Sequence, residues 1–229
     1  MLQHDSLEVI AHLRDGGPVY AETDFDRFIV EPWSTITAFL FVGISTYWFL
    51  RLRNSYSQHK FLVYVLILLS IGGIGGIIYH AFRISRVFIL MDWMPIMIIA
   101  FSMTIYFFIR ATGKWWPALV LFGVVFGLNG LNFKFIPHNM SISISYSMMG
   151  IAAIVPIVLM LRKSKLYKAK FFFIAIVFLV LAVLSRILDK YVSFPMGTHF
   201  LWHVFGAIGT FLIINYVYHI DEYDKSLKR

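Results

Sequence analysis

The sequence predicts an all-α protein built as a seven-transmembrane helical bundle. Three observations predict it. Hydrophobic residues make up 59% of the 229, well above the share of about 45–50% found in soluble domains. The mean hydropathy is +0.77. The apolar residues gather in seven runs, at 33–50, 61–82, 87–109, 115–132, 141–161, 170–188 and 197–218, each near the ~20 residues that cross a hydrocarbon core as a helix. These runs divide the chain into an acidic arm at 1–32, a transmembrane domain at 33–218 and a tail at 219–229, and leave no room for a separate soluble domain.

The arm opens with Met1-Leu2-Gln3-His4-Asp5, without the basic stretch and short apolar run of a cleavable leader, so the first span is expected to act as its own insertion signal. Ser6 to Asp15 sets Leu7, Ile10, Ala11 and Leu13 against Glu8, His12 and Arg14. It reads either as a short amphipathic helix closed by Gly16-Gly17 or as a surface arm. Glu22, Asp24, Asp26 and Glu31 follow within a dozen residues. Carboxylates at this density, with free backbone carbonyls, suit a hard cation such as calcium, although the spacing is not that of an EF-hand; the alternative is a solvated acidic arm.

The second span carries Gly72-Gly73-Ile74-Gly75-Gly76, where missing side chains let backbones approach closely or clear space for a ligand beside His80. The third span holds Asp92 near its start. The fourth and fifth are read from hydropathy alone. The sixth closes on Ser185-Arg186-Ile187-Leu188-Asp189. The seventh opens with Pro195-Met196-Gly197-Thr198-His199-Phe200-Leu201-Trp202-His203, and the four-residue interval puts His199 and His203 on one helix face, as two ligands of one metal ion require. Trp33, Trp48, Trp93, Trp115, Trp116 and Trp202 fall near predicted span ends and read mostly as interfacial anchors. His4, His12, His59, His138 and His219 lie in arms, loops or tail and are expected to be solvated.

A net charge of +8 would suggest nucleic acid in a soluble protein, but its placement here is topological. Arg51, Arg53, Lys60, Arg110, Lys114, Arg162, Lys163, Lys165, Lys168, Lys170, Lys225, Lys228 and Arg229 fall on one side. Arg14, Arg27, Arg83, Arg86, Lys134, Arg186 and Lys190 are fewer and fall on the other. The positive-inside rule then predicts a cytoplasmic C-terminus and an external N-terminus, in an inner or plasma membrane. The absence of cysteine excludes disulfides, thiolate metal sites and cysteine nucleophiles.

Span direction brings the polar residues together. The second span runs outward and ends at His80; the third and seventh run inward and begin near Asp92, His199 and His203. At 1.5 Å per residue all four occupy about the outermost third of the bilayer. Ionisable groups inside spans are costly and face a partner in the bundle. A metal ion satisfies them together: three neutral imidazoles leave zinc its double charge and one open position, as in catalytic sites. Asp92 would then orient a ligand imidazole or take a proton from water at the ion.

These residues resemble the alkaline ceramidase family, especially its bacterial ceramidase-like members, within the wider superfamily of adiponectin-receptor-type proteins. The arm, the second span, the third span and the region from Ser185 to His203 match in order, the last most specifically. The resemblance implies a seven-span hydrolase with zinc on His80, His199 and His203, and Asp92 as acid and base. It also implies a ceramide amide cleaved by a zinc-bound water to a sphingoid base and a fatty acid. It implies calcium at Glu22, Asp24 and Glu31. Asp189 and Arg186 match as well, with an ion pair as their expected role. Five positions depart from the pattern. Gly76 stands where the family has a serine that stabilises the reacting oxygen, with Tyr79 or Thr198 as possible substitutes. Ser34 and Thr37-Ala38 replace asparagine and a serine-asparagine pair, and Val19 replaces an acidic calcium ligand.

Other readings of a seven-span chain are weaker. A retinal protein needs a Schiff-base lysine midway along the last helix, and 197–218 has none. A proton-coupled transporter has no carboxylate well inside a span other than Asp92. A receptor or scaffold with a structural zinc keeps the histidines and discards the chemistry, and a hydrolase of another acyl lipid keeps both. The expected partners are membrane lipid and metal, with no nucleic acid.

Overall fold

The computed structural model describes residues 15–226. Ser6 to Arg14, and the amphipathic-helix reading with them, lie outside the described residues, as do His4 and His12. Among the described residues there is no strand. Seven long α-helices follow one another: α1 (Pro32–Leu52), α2 (Lys60–Phe82), α3 (Arg86–Thr112), α4 (Trp116–Phe135), α5 (His138–Lys163), α6 (Ala169–Leu188) and α7 (His199–Ser226). Six of them, all but α5, are long and apolar enough to cross a membrane among the described residues. α5 has 26 residues and is about 39 Å long at 1.5 Å per residue.

The helices outlast the apolar runs at most ends, because the backbone ladder continues past the point where side chains turn polar. α7 runs to Ser226, so most of the predicted tail is helical. It starts at His199 because Gly197, with φ +57°, turns the chain in the left-handed region just before it.

The chain packs as two units. One holds the described residues up to Ile96 with Ala175–Phe211; the other holds Met97–Ile174 with the described residues from Leu212. In the first unit the glycine run of α2 faces two neighbours. A Cβ on Gly73 would lie 2.9 Å from Val42 Cγ2 and 3.2 Å from Phe41 Cβ on α1; a Cβ on Gly75 would lie 2.4 Å from Met91 Cβ and 2.9 Å from the Asp92 nitrogen on α3. The helices touch backbone to backbone. Small residues are buried while large apolar ones face out: on α6, Ala175, Ala182 and Ser185 are covered while Val177, Val180, Leu184 and Leu188 are exposed. Helices in lipid gain little from hiding apolar surface from one another, so association relies on close packing of small residues, and the large side chains are left for the lipid.

In the second unit Asn132 donates to the Ser141 carbonyl at 2.8 Å and to Ser145 Oγ at 3.1 Å, tying α4 to α5. Arg110 and Tyr106 of α3 meet Asp221 of α7. The reversal between α5 and α6 uses left-handed Lys165, Leu166 and Lys168, at φ 51°, 61° and 53°.

Two sequence expectations are corrected here. Trp48 is fully buried against Tyr47 and Phe211 in the first unit and is no interfacial anchor. Trp33, Trp115 and Trp116 are exposed as a belt requires. His59 is buried rather than solvated, because it sits at the N-terminus of α2 and its carbonyl accepts from the Val63 N–H at 3.0 Å.

The glycine contacts generate a paired test. Gly75→Val is expected to destabilise the protein by about 1–3 kcal/mol or more, the usual range for forcing atoms into a packed contact. Gly123→Ala on α4, where nothing lies within 4 Å, is expected to leave the melting temperature in detergent unchanged.

Candidate metal centre

The centre assembles at the end of α2 and the start of α7, with α3 and the arm beside it. His80 lies in the last turn of α2, and His199 and His203 in the first turns of α7. All three are buried. One ring nitrogen from each lies within 4.8 Å of the others, and they are the one such group of three or more metal-ligating side chains among the described residues. The ring centroids form a near-equilateral triangle: His80 to His199 5.4 Å, His80 to His203 4.9 Å, His199 to His203 5.2 Å.

His80 Nε2, His199 Nδ1 and His203 Nδ1 are buried without a hydrogen-bond partner. A buried polar atom left unpaired costs about 1–3 kcal/mol, and a cation held by the three rings would offset that cost at each nitrogen it binds. The donor set fits a divalent ion: imidazole nitrogens, no thiolate, and a carboxylate nearby.

Glu31 orients the first ligand. Its Oε2 lies 2.5 Å from His80 Nδ1, which donates to it, so the lone pair is left on Nε2, the nitrogen on the Asp92 side. Burial pushes the Glu31 carboxyl up, but its hydrogen bond with His80 and the Arg83 guanidinium outweigh it, and the carboxyl is held below its ordinary value. The Val30 and Glu31 N–H groups donate to the carbonyls of Ala81 and His80 at 2.9 and 3.1 Å. They satisfy last-turn carbonyls of α2 that would otherwise be orphaned, and they lock the arm to the ligand.

Asp189 positions the second helix. Its Oδ1 accepts from the N–H groups of Thr198 at 2.6 Å and His199 at 2.8 Å, and its Oδ2 accepts from Ala21 N–H at 2.9 Å. A negative charge at the N-terminus of α7 is favourable for both its dipole and its unpaired N–H groups. The guanidinium of Arg186, which matches the family pattern with Asp189, stands over the Trp202 ring at 5.5 Å. Gly197 is required twice, for its positive φ and because a Cβ would lie 2.3 Å from Asp189 Oδ1.

Asp92 is brought to the site by the α2–α3 contact. Its Oδ2 lies 4.0 Å from His80 Nε2, and among the described residues the carboxylate makes no hydrogen bond. Gly76 leaves space for it: a Cβ there would lie 2.6 Å from Asp92 Oδ1. Neither expected substitute for a serine hydroxyl is aimed at the site. Thr198 Oγ1 donates to the Ser185 carbonyl at 2.7 Å. The Tyr79 hydroxyl is buried without a partner and lies toward the arm, 2.1 Å from where a Gly17 Cβ would be.

Glu22 and Glu31 of the arm are buried, while Asp26 is exposed and Asp24 half-buried. Glu22 is buried and accepts at the N-terminus of α1, from the N–H groups of Trp33 at 2.8 Å and Ser34 at 3.0 Å and from the Ser34 hydroxyl. Burial raises its carboxyl above the ordinary value, with these hydrogen bonds pulling the other way. Asp24 pairs with Arg27 at 2.8 Å and accepts from Asp26 N–H at 3.1 Å. Glu31 is held by His80, Arg83 and Thr23. The three expected calcium ligands therefore point to three separate protein partners.

Sequence reasoning missed Tyr20, whose ring stacks on His199 at 3.5 Å between centroids and 12° between planes. It also missed Asp15 and Arg83, which reach the site through Glu31. Their positions in an arm and a helix cap carried no periodicity to signal them.

No protein-family model and no curated protein matches the chain.

Glu31→Gln keeps the size of the side chain and removes its charge. We expect it to lower the affinity for a divalent metal ion by about 10–100-fold, the range for losing a carboxylate behind a ligand histidine, as measured by chelator competition in detergent. Unchanged affinity would show that the carboxylate does not tune the ligand.

Proposed function

We propose that the chain is a seven-span membrane hydrolase that uses zinc on His80, His199 and His203 to cleave the amide bond of a lipid, with ceramide the leading substrate. One observation carries the reading: three buried imidazoles from α2 and α7 converge with ring nitrogens unpaired, and an uncommitted carboxylate stands 4.0 Å from one of them. A metal that merely tied helices together would have no use for Asp92, whose placement requires a glycine face on α2. The stretches Ser185 to Asp189 and Phe194 to His203 support the choice of an amide-bonded sphingolipid through their resemblance to alkaline ceramidases. The balance of basic loop residues supports placing the centre at the extracytoplasmic end.

A zinc ion in this site supplies Lewis acidity toward a carbonyl and brings the ionisation of water into the neutral range. His80 holds its donor nitrogen in place through Glu31, and Asp189 fixes the turn of α7 that presents His199. Asp92 Oδ2 accepts a proton as water adds to the amide carbon. It then returns the proton to the departing nitrogen, so that amide plus water gives a carboxylic acid and an amine. The apolar exteriors of α1, α2, α3 and α7 give a lipid a route to this layer from the side and keep bulk water away.

Purified protein assayed against ceramides, other long-chain N-acyl amides and then esters is expected to turn over amides. Asp92→Asn is expected to reduce kcat by about 10²–10⁴-fold, the usual contribution of a general base, with zinc content preserved. His199→Ala is expected to lose the metal. Full zinc content without turnover of any acyl lipid would favour a structural tie instead.

Gly76→Ser gives a second test. The added atoms meet the Asp92 carboxylate, so the substitution is expected to lower turnover rather than supply a missing donor. An increase in kcat would show that Asp92 can share the space with a hydroxyl.

A further inference from the structure

We propose that Arg83 is the built-in cation of the arm and a positioning residue for the metal centre: it docks the arm through Asp15 and Pro18, orients His80 through Glu31, and does this without calcium. The inference rests on the metal reading of the three histidines.

The guanidinium is entirely buried, as are the side chains of both carboxylates that face it. Its Nε donates to Asp15 Oδ2 at 2.6 Å and its Nη2 to Asp15 Oδ1 at 3.1 Å, a two-pronged pairing that matches the planar fork of arginine. Its Nη1 donates to Glu31 Oε1 at 2.5 Å and to the Pro18 carbonyl at 3.0 Å. The group stands over the Tyr79 ring at 4.7 Å and the Phe25 ring at 6.0 Å. One cation thus gathers two carboxylates and a backbone carbonyl from Asp15, Pro18 and Glu31, the oxygen ligands that a hard divalent ion would otherwise use.

The backbone supports a role beyond capping. Arg83 ends α2 in the left-handed region, at φ 51° and ψ 35°, with its N–H donating to the Tyr79 carbonyl at 2.8 Å. Glycine is the residue that takes this position without steric cost. A bulky residue held there signals that the side chain is needed. The side chain reaches His80 through a single group: Glu31 Oε1 takes the arginine and Oε2 takes the imidazole. Loss of the guanidinium leaves Oε1 with the Thr23 hydroxyl alone and unties the arm on the side away from the three histidines.

Arg83→Gly separates the two roles, because it improves the helix end while deleting the cation. The protein is loaded with cobalt, whose visible absorption reports ligand geometry at the metal, and amide hydrogen exchange is followed across residues 20–31. Wild-type protein is expected to show the same cobalt affinity and arm protection with and without millimolar calcium. Arg83→Gly is expected to bind cobalt at least about 10-fold more weakly, the lower end for losing support behind a ligand, with an altered spectrum and faster exchange in the arm. Added guanidinium is expected to restore both, and Arg83→Lys to restore them in part. Should Arg83→Gly fail to fold, Asp15→Asn removes the arm's grip on the same cation and is expected to accelerate exchange and weaken cobalt binding. Wild-type affinity and protection in either folded variant, or a calcium requirement in the wild type, would overturn the proposal. His203→Ala run alongside tests the metal reading separately: if that variant still binds cobalt as the wild type does, the histidine site itself has failed.

Discussion

Glu31 stands at the point where the arm, the end of α2 and the metal centre meet, and its two oxygens do different work. One accepts from an imidazole that has a nitrogen to offer a metal; the other accepts from a guanidinium that holds the arm. Burying a carboxylate is costly unless charge and hydrogen bonds compensate. Here Arg83 compensates the charge, while Thr23 and His80 supply further hydrogen-bond donors. The arrangement is self-consistent because each group covers the cost of burying the next. Asp15 with Glu31 supplies one negative charge more than Arg83 neutralises, and a divalent ion on neutral histidines would lie one imidazole away from that excess.

Close helix packing makes the network possible. The glycines of α2 bring Met91 and Asp92 of α3 against its backbone on one side, and Phe41 and Val42 of α1 on another. Side chains the size of alanine on that face would move Asp92 away from His80. The same small-residue logic leaves large apolar side chains on the outside, which is why the exterior suits lipid. The second unit repeats the principle with Arg110, Tyr106 and Asp221, where charge is again buried only against opposite charge and hydroxyl.

Hydropathy made the helices legible, since a run long enough to cross a membrane has few alternatives to a helix. Spacing made His199 and His203 legible, and span direction brought His80 and Asp92 to the same layer. What could not be read was the partner of each carboxylate. The composition of the arm suggests a cation for Glu22, Asp24 and Glu31, and the fold sends them instead to a helix N-terminus, an arginine three residues on, and a histidine 49 residues away. Such choices depend on which groups lie close in space, and no local period encodes them. Tyr20 against His199 and Asp189 beneath the start of α7 were hidden for the same reason. Trp48 and His59 show the complementary error, in which residue type and nearness to a span end suggest an interface while packing buries both.

Gly76 sets the space available beside the three histidines. Space beside the α2 backbone is limited, and the Asp92 carboxylate fills it, so that a proton acceptor occupies the position where a hydrogen-bond donor would stand. Thr198 is spent on Ser185, and the Tyr79 hydroxyl lies toward Gly17. Under the proposed reaction, stabilisation of negative charge on a reacting oxygen would fall to a metal ion on the three imidazoles rather than to a neighbouring hydroxyl. A single strong electrostatic contact is effective only when its ligands do not yield as charge develops. This places the burden on the groups that hold the imidazoles still. His80 is fixed by Glu31, His199 by the stacked ring of Tyr20 and by Asp189 through its backbone, and both arrangements depend on the arm staying closed over the site. The arm thus carries Glu31 and Tyr20, the contacts that hold two of the three imidazoles.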